Sequence, residues 1–322
     1  MMLVSVVVPV FNEQDNLAVF YSEVVKYLEP LEYDFEVVFI DDGSSDATPL
    51  ILHRMAQEDQ RVRAFILARN FGHQIALSCG LDHANGDVVI TMDGDMQHPP
   101  EMLPALLKHW EAGYEVVQTI RVHTEGVSFL KNLTSSLFYK LINAMSNIHI
   151  YEGGSDFRLL DKKVVQSFRL FKERARFIRG MISDIGYKQI QIEFVAPKRF
   201  AGVSKFSVKK MLRFALDGIT AYSKMPLRFA FYLGLLFGIG TMILTGHVLY
   251  IKFFTEEAVP GWATTAVSIL LLGGFQLVGI GIIGEYVGRI FEEVKQRPLY
   301  WVRAELGEKT VVEQNNVKNR IN

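Results

Sequence analysis

The amino-acid sequence predicts an α/β domain with a mostly parallel sheet flanked by helices, followed by a C-terminal hairpin of two transmembrane helices. Two observations lead to this fold class. In the first part of the chain, short runs rich in Val and Ile alternate with amphipathic segments, as in a parallel sheet covered on both faces. Later, residues 230–251 and 263–284 form two runs of 22 residues without Asp, Glu, Lys or Arg. About 20 apolar residues suffice to cross a bilayer as a helix.

The elements of the α/β part follow from hydrophobic periodicity. The predicted strands are residues 3–10, 35–40, 61–67, 87–92 and 114–119, and the predicted helices between them are 13–29, 47–59, 73–84 and 100–112. Residues 121–200 are less regular and include the turn-rich stretch YEGGSDFRLLD. Ligands of such sheets bind at the carboxyl ends of strands, so the polar clusters FNE, DDGSSD and DGD, which follow the first, second and fourth strands, mark the candidate site.

Charges around the two apolar runs predict the topology. Basic residues precede the first run and follow the second, whereas the linker holds one lysine beside two glutamates. The positive-inside rule then places both termini and the N-terminal domain in the cytoplasm. The predicted domains are a cytoplasmic domain over 1–205, an interfacial amphipathic region over 206–228, two transmembrane helices within 229–290 (about 229–253 and 263–285) and a cytoplasmic tail over 291–322. The tail is polar and predicted to be frayed after Arg303.

Two alternatives accompany this organisation. Each apolar run is also compatible with a buried core helix, although two adjacent runs favour membrane spans. The region before the first run places Lys205, Lys209 and Arg213 on one helical face, which fits an interfacial helix or a cytosolic helix packed on the sheet.

Composition excludes several classes of function. The formal net charge of −1 gives no case for nucleic-acid binding. A single cysteine, Cys79, excludes an intramolecular disulfide framework. The N-terminus has no basic segment, and its apolar run stops at Asn12-Glu13, so no signal peptide is predicted.

The stretch TMDGDMQHPPE places two carboxylates just after the fourth strand. Asp93 and Asp95 alternate around Gly94, a small residue that lets the chain approach a ligand closely. Such a pair is compatible with a metal site, a solvated turn or a helix cap. Mg²⁺ and Mn²⁺ prefer oxygen ligands and are commonly held by one or two carboxylates plus substrate phosphates, and Gln97 offers another oxygen.

The stretch DDGSSDAT follows the second strand. Ser45 or Asp46 is a natural cap for the next helix. Capping does not explain the leading pair, Asp41 and Asp42, whose position at a strand end suits hydrogen bonds from a base N–H or a ribose hydroxyl.

The motifs VVVPVFNE, DDGS and DGDMQHPPE, in this order and spacing, resemble glycosyltransferase family 2 with its GT-A nucleotide-diphospho-sugar fold. The later motifs GGSDFRLL, RFIRG, RFAGVSKF and GEYVGRIFEEVKQRPLY extend the resemblance over about residues 3–303. Together they resemble the polyprenyl-phosphate glycosyltransferases, in the bactoprenol glucosyltransferase branch related to dolichyl-phosphate mannose synthase. This resemblance implies inverting, metal-dependent transfer of one sugar from UDP-glucose to undecaprenyl phosphate. It also implies a homotetramer in the bacterial inner membrane that serves cell-envelope glycans such as the lipopolysaccharide O-antigen.

Candidate roles follow by position. The substrate-binding candidates are Pro9, Phe11, Glu13, Asp41, Asp42, Asp93, Gly94, Arg121, Arg158, Arg176 and Arg179. The metal candidates for Mg²⁺ or Mn²⁺ are Asp93, Asp95 and Gln97. The catalytic candidates implied by the resemblance are Asp156 as a base and the basic pair Arg199 and Lys205, spaced as in R-x-x-G-x-S-K. The sequence departs from the family at Phe11, where Tyr is frequent, and at Gly94, where Ala is usual. Arg176 and Arg179 also fit a solvated helix face.

The role of Asp156 has a physical alternative. A lipid phosphate has a second pKa of about 6 and is mostly dianionic near pH 7, so as an acceptor it barely needs a base. Asp156 would then position Arg158 or help to hold the metal. Catalysis would depend mainly on positioning and on charge neutralisation by the metal and basic side chains.

Other functions are weighed against this one. The same chemistry with GDP-mannose or a UDP-linked modified pentose stays open, because nothing in the sequence identifies the hydroxyl contacts of the sugar. A processive synthase is disfavoured because the Q-x-x-R-W motif is missing, with RARFIRG in that region, and because two spans are too few for a pore. A non-catalytic nucleotide-sugar scaffold would have no need of Asp93, Asp95, Arg199 and Lys205. The predicted partners are the nucleotide sugar, the polyprenyl phosphate, the bilayer and further copies of the chain.

Overall fold

A computed structural model of the protein describes residues 2–122, 154–195, 225–254 and 261–307. Eight strands form one sheet: β1 (Leu3–Val10), β2 (Asp34–Asp41), β3 (Val62–Leu67), β4 (Val88–Thr91), β5 (Val116–Arg121), β6 (Gly154–Asp161), β7 (Gln189–Phe194) and β8 (Val302–Leu306). The helices are α1 (Leu17–Leu28), α2 (Thr48–Glu58), α3 (His73–His83), α4 (Leu103–Glu111), α5 (Lys162–Arg169), α6 (Ile178–Ile185), α7 (Met225–Phe254) and α8 (Trp262–Val294), with a 3₁₀ turn at Pro100–Met102. The five predicted strands and four predicted helices of the first part of the chain are confirmed.

The sheet is mixed, and its strand order is β7-β5-β6-β4-β1-β2-β3-β8. Strand β1 pairs in parallel with β2 and β4, β2 with β3, and β5 with β7. The pairs β4–β6, β5–β6 and β3–β8 are antiparallel. The central strands are buried along nearly their whole length, which explains their continuous Val and Ile runs. One cluster of buried residues joins strands β1–β6 to α1, α2 and α4.

Strand β6 corrects the prediction that residues 151–161 are turn-rich. The stretch GSDFRLLD is a strand between β4 and β5, and its six inner residues are buried. Three of them, Ser155, Asp156 and Arg158, are polar and were not recognised as strand residues for that reason. Ser155 and Asp156 are compensated for the loss of water by hydrogen bonds to His98, Arg179 and Gln74, which are distant in sequence. Arg158 donates instead to Ser155 and Asp156 of the same strand.

Strand β8 corrects the prediction of a frayed tail after Arg303. Residues 302–306 pair antiparallel with β3 and cover the edge of the sheet. An uncovered sheet edge exposes unpaired backbone groups, so this pairing protects β3 from other chains.

The helices α7 and α8 belong to a second compact unit, separate from the one that contains the sheet. Each contains a stretch apolar and long enough to cross a membrane: Met225–Ile251 with mean hydropathy 1.8 and Leu271–Val294 with mean hydropathy 1.4, neither of them buried. The Phe237 and Phe275 rings, one from each helix, have centroids 4.2 Å apart. Both predicted spans, 229–253 and 263–285, lie within these helices.

Several predictions lie outside the described residues. These are the catalytic candidates Arg199 and Lys205, most of the interfacial region 206–228, and the part of the tail beyond residue 307.

Candidate active site

One edge of the sheet collects the predicted polar clusters. Strands β1, β2 and β4 end there, and β6, which is antiparallel to β4, begins there. The register pairs Thr91 with Arg158, so Asp156 lies just beyond the end of β4. The Thr91 hydroxyl donates a hydrogen bond of 2.5 Å to the Asp156 carbonyl. Two segments far apart in sequence therefore meet beside the DGD motif.

The loops that follow β1 and β2 hold each other in place. The Asn12 N–H donates to Ser44 Oγ (2.8 Å), and Asn12 Oδ1 accepts from the Ser45 N–H (2.8 Å). The Glu13 N–H donates to Thr48 Oγ1 (3.0 Å). These bonds fix the strand ends that carry Asp41 before any ligand arrives.

The two aspartates at the end of β2 have different environments. Asp42 accepts hydrogen bonds from the Phe71 N–H (2.7 Å) and the Gly72 N–H (2.9 Å), one on each carboxylate oxygen. Asp41 is fully buried, and its Oδ1 accepts from the Ser44 N–H (3.1 Å), whereas its Oδ2 has no hydrogen-bond partner. Burial raises the pKa of both carboxyl groups. Asp42 thus positions the loop before α3, while its contact with a substrate stays a prediction, and Asp41 keeps an oxygen for a ligand.

Two glycines at this edge should respond differently to alanine. Gly43 has φ of +70°, and an added Cβ would lie 2.4 Å from the Arg69 carbonyl carbon, whereas at Gly94 the nearest atom is Val10 Cγ1 at 3.0 Å. We expect Gly43→Ala to lower the free energy of unfolding by at least about 2 kcal/mol, because strain adds to a backbone overlap. Gly94→Ala should change it by less than about 1 kcal/mol, since a side chain can shift slightly. Chemical denaturation followed by tryptophan fluorescence measures both, and equal losses would contradict the expectation.

A buried histidine holds the DGD loop. The Asp93 N–H donates to His98 Nδ1 (2.8 Å), so the ring proton lies on Nε2, which is 2.8 Å from Ser155 Oγ. The ring stacks on Phe157 with centroids 5.2 Å apart, and burial lowers its pKa. His98 is therefore a neutral support for the loop that carries the two carboxylates.

The donor atoms at the loop suit a hard divalent cation. Asp93 and Asp95 provide carboxylate oxygens, and Asp95 Oδ1 also accepts from the Gln97 N–H (3.1 Å). Within residues 2–122, 154–195, 225–254 and 261–307, no group of three or more His, Cys, Asp or Glu side chains could hold a metal ion. Two carboxylates fit Mg²⁺ or Mn²⁺ only when a ligand such as a diphosphate completes the coordination. The site therefore fits a metal shared with substrate.

Asp156 is the centre of a buried ionic network. Its Oδ1 accepts from Arg158 Nη2 (2.9 Å) and from Arg179 Nε (2.9 Å). Its Oδ2 accepts from Gln74 Nε2 (3.2 Å) and lies 3.4 Å from His73 Nε2, which is also 3.6 Å from Asp93 Oδ1. The network links Asp156 to the DGD loop through His73.

The charges in this network determine the protonation of Asp156. Burial by itself would raise its pKa, but the Arg179 charge, the His73 hydrogen bond and the Arg158 charge hold the pKa well below the ordinary value. Burial lowers the pKa of Arg158 to about 10, which still leaves it charged near pH 7. A carboxylate with so low a pKa is a weak base. This favours the predicted alternative in which Asp156 positions Arg158.

The remaining basic candidates lie in different surroundings. Arg158 is buried and also donates to the Ser155 carbonyl (2.8 Å), and its contact with a substrate stays a prediction. Arg179 joins the network, whereas Arg176 donates to the Phe171 carbonyl (2.9 Å). Arg121 ends β5 with its guanidinium 6.0 Å from the Phe194 ring centroid.

Three candidates lie at the end of β1, the strand that pairs in parallel with β2. Pro9 is buried within the strand and pairs with Ile40, so it shapes the strand end. Phe11 is half-buried in the loop that follows. Glu13 Oε2 accepts from Asn16 Nδ2 (2.6 Å) at the start of α1. Their contact with a nucleoside stays a prediction.

Three residues of the site were missed by sequence reasoning: His73, Gln74 and His98. His73 and Gln74 begin α3 just after β3 ends, at the same edge of the sheet as the recognised clusters. The rule that placed FNE, DDGS and DGD could have placed FGHQ as well. Gln74 joins two elements, since its Oε1 accepts from the Ile178 N–H (3.1 Å) at the start of α6, the helix that carries Arg179.

The mixed sheet with a DGD loop at its carboxyl edge is a fold of the GT-A type, the fold of nucleotide-sugar glycosyltransferases. The chain belongs to glycosyltransferase family 2, whose family model, described as Glycosyl transferase family 2, matches residues 5–169.

Relatives match the chain over nearly its whole length. The uncharacterized glycosyltransferase YkcC of Bacillus subtilis is 40% identical over 94% of this chain and 94% of its own. The SfII prophage-derived bactoprenol glucosyl transferase of Shigella flexneri is 42% identical over 94% of this chain and 98% of its own. With the two apolar helices, these relatives indicate that the protein associates with a membrane.

Solved structures are more distant. Glucosyl-3-phosphoglycerate synthase from Mycobacterium tuberculosis, crystallised with Mn²⁺, UDP-glucose and phosphoglyceric acid, is 17% identical with a TM-score of 0.43, covering 68% of this chain and 78% of its own. A likeness of this size supports no conclusion about ligands.

Proposed function

We propose that the protein transfers one glucose unit from UDP-glucose to undecaprenyl phosphate, with inversion at the anomeric carbon and with a divalent metal. The observation that carries the proposal is the identity of 42%, over nearly the full length of both chains, with a bactoprenol glucosyl transferase. That name favours glucose over mannose or a modified pentose, and a lipid phosphate over a growing polysaccharide. Inversion comes from the family resemblance.

The strand ends support a placement of the donor. The free Oδ2 of buried Asp41 suits an N–H of the nucleobase, and Phe11 and Glu13 lie on the loop after β1, the strand that pairs with β2. Asp93 and Asp95 would hold the metal together with the diphosphate. When bound, that metal neutralises charge on the departing nucleoside diphosphate. Arg121 at the end of β5 would add a cation near the phosphates.

The acceptor needs orientation more than activation. An oxygen of the lipid phosphate attacks the anomeric carbon on the face opposite the UDP, the new carbon–oxygen bond forms, and the bond to UDP breaks with its electron pair. Because the phosphate is mostly dianionic near pH 7, no side chain has to remove a proton. Asp156 would hold Arg179 in a position where the guanidinium helps to neutralise the negative charge of the approaching phosphate. Arg199 and Lys205, outside the described residues, would have the same role.

The apolar helices support the location of the enzyme. Spans within α7 and α8 would keep the site at the bilayer surface where the acceptor phosphate emerges. The charge distribution favours both termini and the site on the cytoplasmic side of the bacterial inner membrane. Assembly as a tetramer follows from the family resemblance alone.

A radiochemical assay tests the proposal. Purified full-length protein in nanodiscs is given undecaprenyl phosphate and sugar-labelled UDP-glucose or GDP-mannose, with MgCl₂, MnCl₂ or EDTA. We expect label from UDP-glucose to enter the organic phase only with acceptor and metal, and mild acid should release it as glucose.

Each arm isolates one part of the proposal. Transfer from GDP-mannose alone would contradict the donor. Undiminished transfer in EDTA would contradict the metal. Label in a water-soluble polymer would contradict single transfer to a lipid.

A further inference from the structure

The strand after the second apolar helix is attached to the catalytic sheet at several points. Strand β8 pairs with β3 in a register that sets Ala304 opposite Ile66 and Leu306 opposite Ala64. The Ala68 N–H donates to the Trp301 carbonyl (2.8 Å), which extends the ladder past the end of β3. The position of β8 is therefore fixed by main-chain hydrogen bonds.

Side chains secure the same segment on the other face of the sheet. The Tyr300 hydroxyl donates to Asp82 Oδ2 (3.0 Å) on α3, and Arg63 lies 3.9 Å from Glu305. Because α3 also carries His73 and Gln74, the segment contacts an element that reaches the candidate active site. These contacts explain how β8 keeps its place, but not why a site would need it.

A cavity beside β8 supplies that reason. It has a volume of about 350 Å³ and lies between α2, the end of β3 and β8. Its apolar lining includes Leu50, Leu67, Ala304 and Leu306, and Arg69 and Arg303 also line it. This volume falls at the lower end of the range for small-molecule sites, about 300–1,000 Å³.

Asp41 lines the same cavity. It is fully buried, and its Oδ2 is without a hydrogen-bond partner. A buried carboxylate oxygen left unpaired costs free energy, which a ligand N–H would recover. The cavity therefore combines an unpaired acceptor, Asp41 Oδ2, with apolar walls and cationic residues. This combination fits a flat heterocycle with an N–H between two carbonyl groups.

We propose that β8 forms the outer wall of the pocket for the donor nucleobase, with the uracil imide N–H donating to Asp41 Oδ2 and the ring packing against Ala304 and Leu306. This inference rests on the proposed function, since it takes UDP-glucose as the donor. It adds that donor recognition depends on a segment beyond the two apolar helices, outside the 5–169 region that the family model matches. Arg69 and Arg303 are then placed for the uracil carbonyls or the ribose side.

The test uses full-length protein in nanodiscs and UDP with MgCl₂ as the probe. Ala304→Phe fills the cavity from its β8 side, and we expect it to weaken UDP binding by about tenfold or more in calorimetry. Ala105→Phe introduces the same side chain on the exposed surface of α4 and should leave UDP binding unchanged. Asp41→Asn should weaken UDP binding as well, because the Ser44 N–H would hold the amide oxygen and leave an NH2 donor facing the imide N–H.

A second measurement does not depend on how well β8 accepts a bulky residue. The single native cysteine, Cys79, is buried, so in an Ala304→Cys variant the introduced thiol alone should react with a maleimide. Saturating UDP should slow that reaction about tenfold or more, and it should not slow the reaction of an Ala105→Cys variant.

The outcomes separate this inference from the proposed function. If Asp41→Asn weakens UDP binding while Ala304→Phe does not and UDP leaves the thiol of Ala304→Cys unprotected, the wall is not formed by β8, although the nucleobase still lies at Asp41. If Asp41→Asn and Ala304→Phe both bind UDP as the wild type does, and UDP does not protect the thiol of Ala304→Cys, both this inference and the proposed position of the nucleobase are overturned.

Discussion

Asp95→Ala should reduce transfer of labelled glucose into the organic-extractable lipid by at least about 100-fold. A metal supplies several kcal/mol of charge stabilisation in such a reaction, and each 1.4 kcal/mol or so corresponds to a factor of ten. The DGD loop has two carboxylates for that metal, so Asp95→Ala leaves only the Asp93 carboxylate to bind it. The loop itself should persist, because His98 holds it through the Asp93 N–H.

Asp34→Ala is the matched control for Asp95→Ala. Asp34 is exposed at the opposite end of β2, away from the carboxyl edge of the sheet. Its replacement should leave transfer and metal dependence unchanged. If Asp95→Ala transfers glucose as well as the wild type does, the DGD loop does not hold a catalytic metal, and the transferase mechanism proposed for this site is wrong.

Asp156→Asn should lower the free energy of unfolding by about 3 kcal/mol or more. Removing one partner of a buried ion pair leaves the other charge uncompensated, and Arg158 is almost completely buried. Denaturant titration in detergent measures the loss. Glu23→Gln, which removes one partner of the exposed Lys26–Glu23 pair, should leave stability unchanged.

The same substitution decides the catalytic role of Asp156. Its folded-state pKa lies below the unfolded value of about 3.9, so its stabilising contribution is complete above that pH and is lost as the pH falls through the folded pKa. Near neutrality Asp156 is therefore already ionised. We expect Asp156→Asn to reduce transfer by up to about 100-fold through misplaced cations, by the same factor from about pH 6 to pH 9. Loss of a basic limb near neutrality would show instead that Asp156 acts as the base.

Much of the fold was predictable because it depends on local periodicity. Strands β1–β5 and helices α1–α4 each have a pattern of apolar residues that requires no knowledge of their partners. Strand β6 lacked such a pattern, because it buries Ser155, Asp156 and Arg158. Ser155 and Asp156 tolerate burial because they have partners in other segments, and Arg158 because it pairs with Asp156. Single-sequence patterns cannot show these contacts.

The candidate site was predictable in part for the same reason. Asp41, Asp93 and Asp95 follow strands directly, so their position at the carboxyl edge needed only the strand prediction. The pairing of Asp156 with Arg179 and Gln74 depends on how β6, α6 and α3 pack, and these contacts join residues separated by 23 and 82 positions. Asp42 looked equivalent to Asp41 in sequence, yet the loop before α3 takes both of its oxygens.

The alternation of strands and helices, the order of the motifs and the two apolar segments could be predicted from the chain alone, because each depends on neighbouring residues. The folded chain was needed to show which carboxylate oxygens have hydrogen-bond partners within the protein and which have none. It also decided that residues 302–306 pair with the sheet and that Arg303, Ala304 and Leu306 line the cavity beside Asp41. The physical reason is that burial and pairing are properties of the packed chain. Aspartates that look alike in the sequence have different roles because different groups surround them: Asp41 keeps an unpaired oxygen, Asp42 holds a loop and Asp156 pairs with arginines.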